Sequence, residues 1–158
     1  MIIRPLQPRD RLRIQDIVHA VGNFNPAETD VAMELVDDAL QKGSVSDYIV
    51  YVLEKDAAVC GYACFGKTPL TDSTFDFYWM AVDPLHQRQG LGRALIRFVE
   101  EEVQRRGGAM LILETSSLET YRRTVRIYEL SGYTLTARIP NFYRQGDDKL
   151  IYIKTFFA

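Results

Sequence analysis

Apolar residues at the start of the chain recur at helical spacing. Leu12, Ile14, Ile17, Val18 and Val21 form one stripe within Pro8–Val21, which predicts a helix after a short strand at Ile2–Leu6. Asn25-Pro26-Ala27-Glu28 predicts a second helix start. Asn25 can accept from an orphan amide, Pro26 suits the first helical position, and Glu28 completes a capping box. That helix runs to about Lys42 and stops at Gly43.

The pattern then changes. Tyr48–Leu53, Ala58–Phe65 and Thr74–Val82 are rich in Val, Ile, Tyr, Phe and Trp and are separated by turn residues, so three strands are expected, the third ended by Asp83-Pro84. From Gly90 to Arg106 helical spacing returns, with Leu91, Leu95, Phe98, Val99 and Val103 on one stripe, and Gly107-Gly108 stops it. Met110–Glu114 reads as a short buried strand and Thr120–Leu130 as a helix ended by Ser131-Gly132. Two last strands, near Tyr133–Ile139 and Lys149–Phe156, flank a polar loop. This order predicts one α/β (α+β) domain over residues 1–158, with helices on both faces of a mixed sheet.

Composition narrows the classes. The 158 residues are 47% hydrophobic and 25% charged, which fits an ordinary globular domain. A formal net charge of -2 argues against a general nucleic-acid binder. Met1-Ile2-Ile3-Arg4-Pro5 lacks the apolar stretch of a secretory leader, and no run approaches a membrane helix, so a cytoplasmic protein without a membrane partner is expected. Cys60 and Cys64 share one strand face, where core filling outweighs a disulfide or metal pair. With only His19 and His86, no histidine-rich metal site is expected.

The segment with the most chemical content is Val82-Asp83-Pro84-Leu85-His86-Gln87-Arg88-Gln89-Gly90-Leu91-Gly92-Arg93. A strand ends, donors follow, and two glycines open a helix. A helix N-terminus carries unpaired amides and the positive end of the dipole, and glycine lets a phosphate oxygen approach the backbone. The arrangement reads as a pyrophosphate cradle. Gly90-Leu91-Gly92-Arg93-Ala94-Leu95 half-matches a dinucleotide fingerprint but lacks its third glycine and sits mid-chain. A structural helix begun by glycine, with no ligand, is the plain alternative.

Gln87-Arg88-Gln89-Gly90-Leu91-Gly92 resembles the Q/R-x-x-G-x-G/A motif of the GNAT superfamily of acyl-CoA-dependent N-acetyltransferases. Arg126-Ile127-Tyr128-Glu129-Leu130-Ser131-Gly132-Tyr133 is similar to that family's Leu-Tyr-Glu-x-x-Gly-Phe segment. The resemblance implies a mostly antiparallel GNAT-like sheet and acetyl-CoA as cosubstrate with an amine as acceptor, in an enzyme of the acyltransferase class. It implies that the backbone of Met80, Ala81 and Val82 pairs with the pantetheine amides, and that amides of Gln87, Arg88, Gln89, Gly90, Leu91, Gly92 and Arg93 hold the pyrophosphate. It places Tyr128 near the thioester sulfur. A homodimer through a sheet edge is compatible with such a fold. Many members carry an Asn where this chain reads Ser116-Ser117-Leu118-Glu119-Thr120-Tyr121, so Ser116, Ser117 or Tyr121 takes over that CoA contact or it is missing.

The chemistry needs an uncharged amine, whereas a free lysine-type amine has a pKa of about 10.4, so a base or a desolvating site is required. Tyr128 is the candidate acid, with a packed helix tyrosine as the alternative. Asp76 and Glu114 are candidate bases, each equally readable as an ordinary strand carboxylate. Asn141, Phe142 and Tyr143 are candidate acceptor-binding residues in the polar loop, with an exposed hairpin as the alternative. A domain that binds acyl-CoA as a sensor without turnover is the second functional class. The acceptor itself is not written in the sequence.

Overall fold

The computed structural model describes residues Met1–Phe157. Seven strands follow the order β1-β2-β3-β4-β5-β7-β6, with β1 at Ile2–Pro5, β2 at Ile49–Lys55, β3 at Ala58–Lys67, β4 at Thr74–Val82, β5 at Met110–Ser116, β6 at Thr134–Arg144 and β7 at Asp147–Thr155. The β4–β5 ladder is parallel, whereas β1–β2, β2–β3, β5–β7 and β6–β7 are antiparallel. Among the described residues four α-helices complete the fold: α1 at Arg11–Val21, α2 at Pro26–Lys42, α3 at Leu91–Arg105 and α4 at Arg122–Leu130. None of the helices among the described residues is long and apolar enough to cross a membrane. The expected mixed α/β fold, with a mostly antiparallel sheet, is the one observed.

The chain forms two compact units. The first comprises Met1–Gly66 and Trp79–Val99; the second comprises Lys67–Tyr78 and the chain from Glu100 onward.

In the first unit, α1 follows a single turn of 3-10 helix at Pro8–Asp10. Ile14, Ile17 and Val18 are buried, but Leu12 is exposed despite its place in the apolar stripe. Burial of each such aliphatic side chain contributes about 1.5–3 kcal/mol. The start of α2 is fixed as its sequence predicts: Glu28 N–H donates to Asn25 Oδ1 at 2.9 Å, and Asn25 N–H donates to Glu28 Oε2 at 2.7 Å. Cys60 and Cys64 are free and buried in β3, where burial pushes the Cys64 thiol up to about 12 and leaves it unreactive.

In the second unit, β5 lies between β7 and the Thr74–Phe77 part of β4. Leu111, Leu113, Leu150 and Tyr152 are buried, with Tyr128 and Tyr133 beside them: the Tyr128 ring lies 6.1 Å from Tyr133 and 6.3 Å from Tyr152. The expected polar loop near Asn141–Asp148 is instead a long hairpin. β6 runs through Asn141, Phe142 and Tyr143 to Arg144, and only Gln145-Gly146 separates it from β7. The reason is local. Asn141, at a φ of 53°, accepts from Gly146 N–H through Oδ1 at 2.7 Å, while its own N–H donates to Asp148 Oδ1 at 2.8 Å. Polar side chains here close a strand turn and not an open loop.

Candidate functional site

The cradle lies wholly in the first unit. After Val82, the Asp83 carboxylate caps a turn of 3-10 helix at Pro84–His86 by accepting from Leu85 N–H at 2.9 Å. Gln87 Nε2 donates back to the Val82 carbonyl at 3.4 Å, and Lys55 Nζ donates to Gln89 Oε1 at 2.6 Å. Arg88 and Gly90 both take left-handed backbone, at φ 62° and 78°, and α3 then begins at Leu91. A non-glycine residue in that region stores strain, and such strain concentrates at ligand-binding turns.

The two glycines differ in a telling way. Gly90 needs its positive φ. Gly92 does not: a side-chain carbon there would meet nothing closer than Met80 Cε at 3.9 Å, so the protein's own packing leaves room for one. The first amides of α3 have no carbonyl a turn earlier to bond; the first intrahelical bond here is Ala94 N–H to Gly90 O, at 3.0 Å. A helix start that leaves its first amides without intrahelical partners is the geometry that takes a phosphate group. The β4–β5 ladder ends at Phe77, and Trp79–Val82 continue β4 beyond it. The Asp83 amide turns to β3, donating to Cys60 O at 2.8 Å.

Asp83 is almost fully buried. Burial pushes its carboxyl up, but the Leu85 amide, the Arg13 guanidinium and the His86 side chain outweigh that and hold it below its usual value. Sequence reading missed Arg13, because nothing local ties an α1 arginine to this loop. It also missed a shallow cavity of ≈ 190 Å³ lined by His19, Phe24, Pro26, Thr29 and Asp30. Phe24, the one aromatic between α1 and α2, was the available signal; its ring stands 5.0 Å from Trp79.

The remaining candidates lie in the second unit. Tyr128 is buried, and burial, with a smaller effect of Tyr121, pushes its phenol well above the usual value. The hydroxyl is therefore protonated throughout the neutral range. Asp76 accepts from Thr68 Oγ1 at 2.7 Å. Glu114 is paired with Lys149 Nζ at 2.6 Å and is half exposed. Phe75, Phe77, Leu111 and Leu113 are buried, so alternation puts Asp76 and Glu114 on the opposite face, the same face for both. Lys149 Nζ also stands 4.0 Å from the centre of the Phe142 ring. Glu114 and Phe142 are thus joined through one ammonium group. Asn141, Phe142 and Tyr143 are all exposed.

Ser116 and Ser117, two of the candidates for the CoA contact, have partners within the protein. The Ser116 hydroxyl donates to the buried Asp147 carboxylate and accepts from Leu118 N–H at 3.1 Å. Ser117 Oγ accepts from Asp148 N–H at 2.8 Å, and Ser117 N–H donates to Asp148 O at 3.0 Å. Both serines fasten the end of β5 to the start of β7. Among the described residues no cluster of three or more His, Cys, Asp or Glu side chains is arranged to hold a metal.

Known proteins resemble this chain in sequence and in fold. The family described as "Acetyltransferase (GNAT) domain" matches residues 46–135. A ribosomal protein bS18-alanine N-acetyltransferase of Escherichia coli (strain K12) is 33% identical over 87 residues, covering 55% of this chain and 57% of that protein; the match thus spans little more than half of that relative. Among solved structures, a GNAT-family protein from Desulfovibrio desulfuricans superposes with a TM-score of 0.93 at 42% identity, covering 98% of both chains. A Salmonella typhimurium protein solved with acetyl-CoA superposes with a TM-score of 0.78 at 26% identity, covering 100% of this chain and 95% of that one.

Proposed function

This chain belongs to the GNAT acetyltransferase family, and from that premise we propose that it transfers an acetyl group from acetyl-CoA to a primary amine by direct attack in a ternary complex. The observation that carries this reading is the open helix start at Gly92, where the protein's own packing tolerates a side chain and the sequence supplies none. The similar Salmonella typhimurium protein, solved with acetyl-CoA, supports the same ligand for this cradle.

In this proposal the backbone from Gln87 to Arg93 holds the pyrophosphate and Met80–Val82 align the pantetheine arm. The neutral amine attacks the thioester carbonyl carbon, the carbon–sulfur bond breaks, and an amide forms. The amine proton leaves through water to Glu114. The departing thiolate takes a proton from Tyr128, whose hydroxyl stays protonated at neutral pH because burial disfavours its anion. Glu114 is preferred to Asp76 because it lies one residue beyond the last β4–β5 pair, Phe77 with Leu113, and is accessible to water.

Two surfaces suit the acceptor. One is the exposed Asn141, Phe142 and Tyr143 of β6; the other is the cavity holding Asp30, His19 and Phe24. An acceptor screen with acetyl-CoA, read as free thiol released, tests the activity. Release that depends on an added peptide or small-molecule amine supports it; no release with any amine, despite tight acetyl-CoA binding, overturns the transferase reading. Phe142→Ala and Asp30→Asn then tell the two surfaces apart by which one raises KM for the acceptor.

A further inference from the structure

Arg13, on α1, reaches strand β3 and the residue that follows β4 at once. Its Nε donates to the Val59 carbonyl of β3 at 3.0 Å, and its Nη2 bonds the Asp83 carboxylate. Asp83 is the first residue after β4, and three further contacts converge on it. Its carboxylate accepts from Leu85 N–H at 2.9 Å, His86 Nδ1 lies 3.4 Å away, and its own amide donates to Cys60 O at 2.8 Å. The loop that leads to Gly90 and Gly92 therefore starts from a carboxylate fixed by a cation from a different element, anchored at the adjacent residues Val59 and Cys60.

We infer that the Arg13–Asp83 pair is a positioning device for the phosphate cradle: it sets the affinity for the CoA moiety without touching the reacting atoms. The inference rests on the acetyl-CoA reading above. Its physical basis is that Asp83 is 3% exposed, and a buried carboxylate without a counter-charge either takes up a proton or moves toward water. The first weakens the bond from the Leu85 amide and the second breaks it, so either response loosens Pro84–His86, whose hydrogen bonds to Asp83 define the path of the chain. The strained Arg88 follows four residues before Gly92. A cradle that binds through backbone amides depends on that path, because its donors cannot adjust independently as side chains can.

The test uses the full chain with Arg13→Met, Arg13→Lys, Asp83→Asn and the double variant Arg13→Met/Asp83→Asn. Acetyl-CoA affinity is measured by calorimetry, and KM and kcat with an accepted amine. Arg13→Met and Asp83→Asn should each weaken acetyl-CoA binding and raise its KM about tenfold, with kcat at saturation within about twofold. Arg13→Lys should recover most of the affinity by restoring a cation. The double variant should be no worse than the weaker single, since both remove one shared interaction. A merely structural pair would lower the melting temperature or the active fraction and leave KM unchanged in the folded molecules; that outcome overturns the inference, as does additivity in the double variant. If Arg13→Met does not fold, Asp83→Asn, which keeps an acceptor for Leu85 N–H, decides alone. Failure of the wild-type chain to bind acetyl-CoA would instead sink the functional reading and is separate from these outcomes.

Discussion

The ammonium of Lys149 stands 2.6 Å from the carboxylate of Glu114, across the β5–β7 ladder. This pair orients Glu114 while about half of its side chain remains open to water. Asp76 has a different partner, the Thr68 hydroxyl, within the paired part of β4. Glu114→Gln should therefore lower turnover at neutral pH by about 10²-fold, with a defect that shrinks as pH rises, because more acceptor amine is then already neutral. Asp76→Asn should lower thermal stability with no such recovery. Rate against pH for both variants checks this; a pH-recoverable defect in Asp76→Asn alone would move the base to Asp76.

Gly92→Ala separates binding from folding. Its new methyl meets no protein atom nearer than 3.9 Å, and alanine favours helix over glycine by about 0.5–1 kcal/mol. The variant should melt at or slightly above the wild-type temperature yet bind acetyl-CoA more weakly, and Gly92→Asp should lose binding altogether through charge repulsion with the pyrophosphate. Gly90 is the poorer probe, since its φ of 78° makes any side chain strained. Normal acetyl-CoA affinity in Gly92→Asp would place the cradle elsewhere.

The turn from β4 into α3 was legible in the sequence because its signals are local: two glycines, a donor-rich loop and a strand-to-helix transition. The same holds for the Asn25–Glu28 capping box and for β4, whose observed bounds match the expected Thr74–Val82. What escaped the sequence was long-range. Arg13 and Asp83 lie 70 positions apart, and no periodicity relates them. Asn141–Asp148 read as a loop because its residues are polar, but Asn141 and Asp148 spend that polarity on closing a hairpin. Leu12 fits the α1 stripe in spacing alone and is exposed. The roles of Ser116 and Ser117 depended on Asp147 and Asp148, one strand away.

Tyr128→Phe keeps the ring and its packing against Tyr133 and Tyr152 and removes only the hydroxyl. Turnover should fall by about 10²–10⁴-fold while acetyl-CoA affinity stays close to wild type. Steady-state rates with a good acceptor, alongside calorimetric affinity, check this. Full turnover in Tyr128→Phe would make Tyr128 a packing residue.

Acid stability should depend on Asp10. Burial pushes its carboxyl up, but two hydrogen bonds from Arg4, at 2.8 and 2.9 Å, and one from Gln7 N–H hold it below the usual carboxylate value. A depressed carboxylate contributes stability that is present above the ordinary range and lost as pH falls through the depressed value. Asp10→Asn should thus destabilise the chain by about 1–3 kcal/mol at neutral pH and flatten the loss of stability below about pH 4. Melting temperature against pH for both proteins measures it; parallel curves would mean that Asp10 does not govern the acid limb.

Acetyl-CoA binding itself is the most direct test of the central claim, read as the melting temperature of the wild-type chain with increasing ligand. A ligand bound only by the native state adds about 2.7 kcal/mol at one hundred times its Kd, which for a chain of this size raises the melting temperature by roughly 5–10 °C. The account predicts such a rise with acetyl-CoA, growing with the logarithm of concentration, and none with NAD. No shift at saturating acetyl-CoA together with a clear shift from NAD would contradict it.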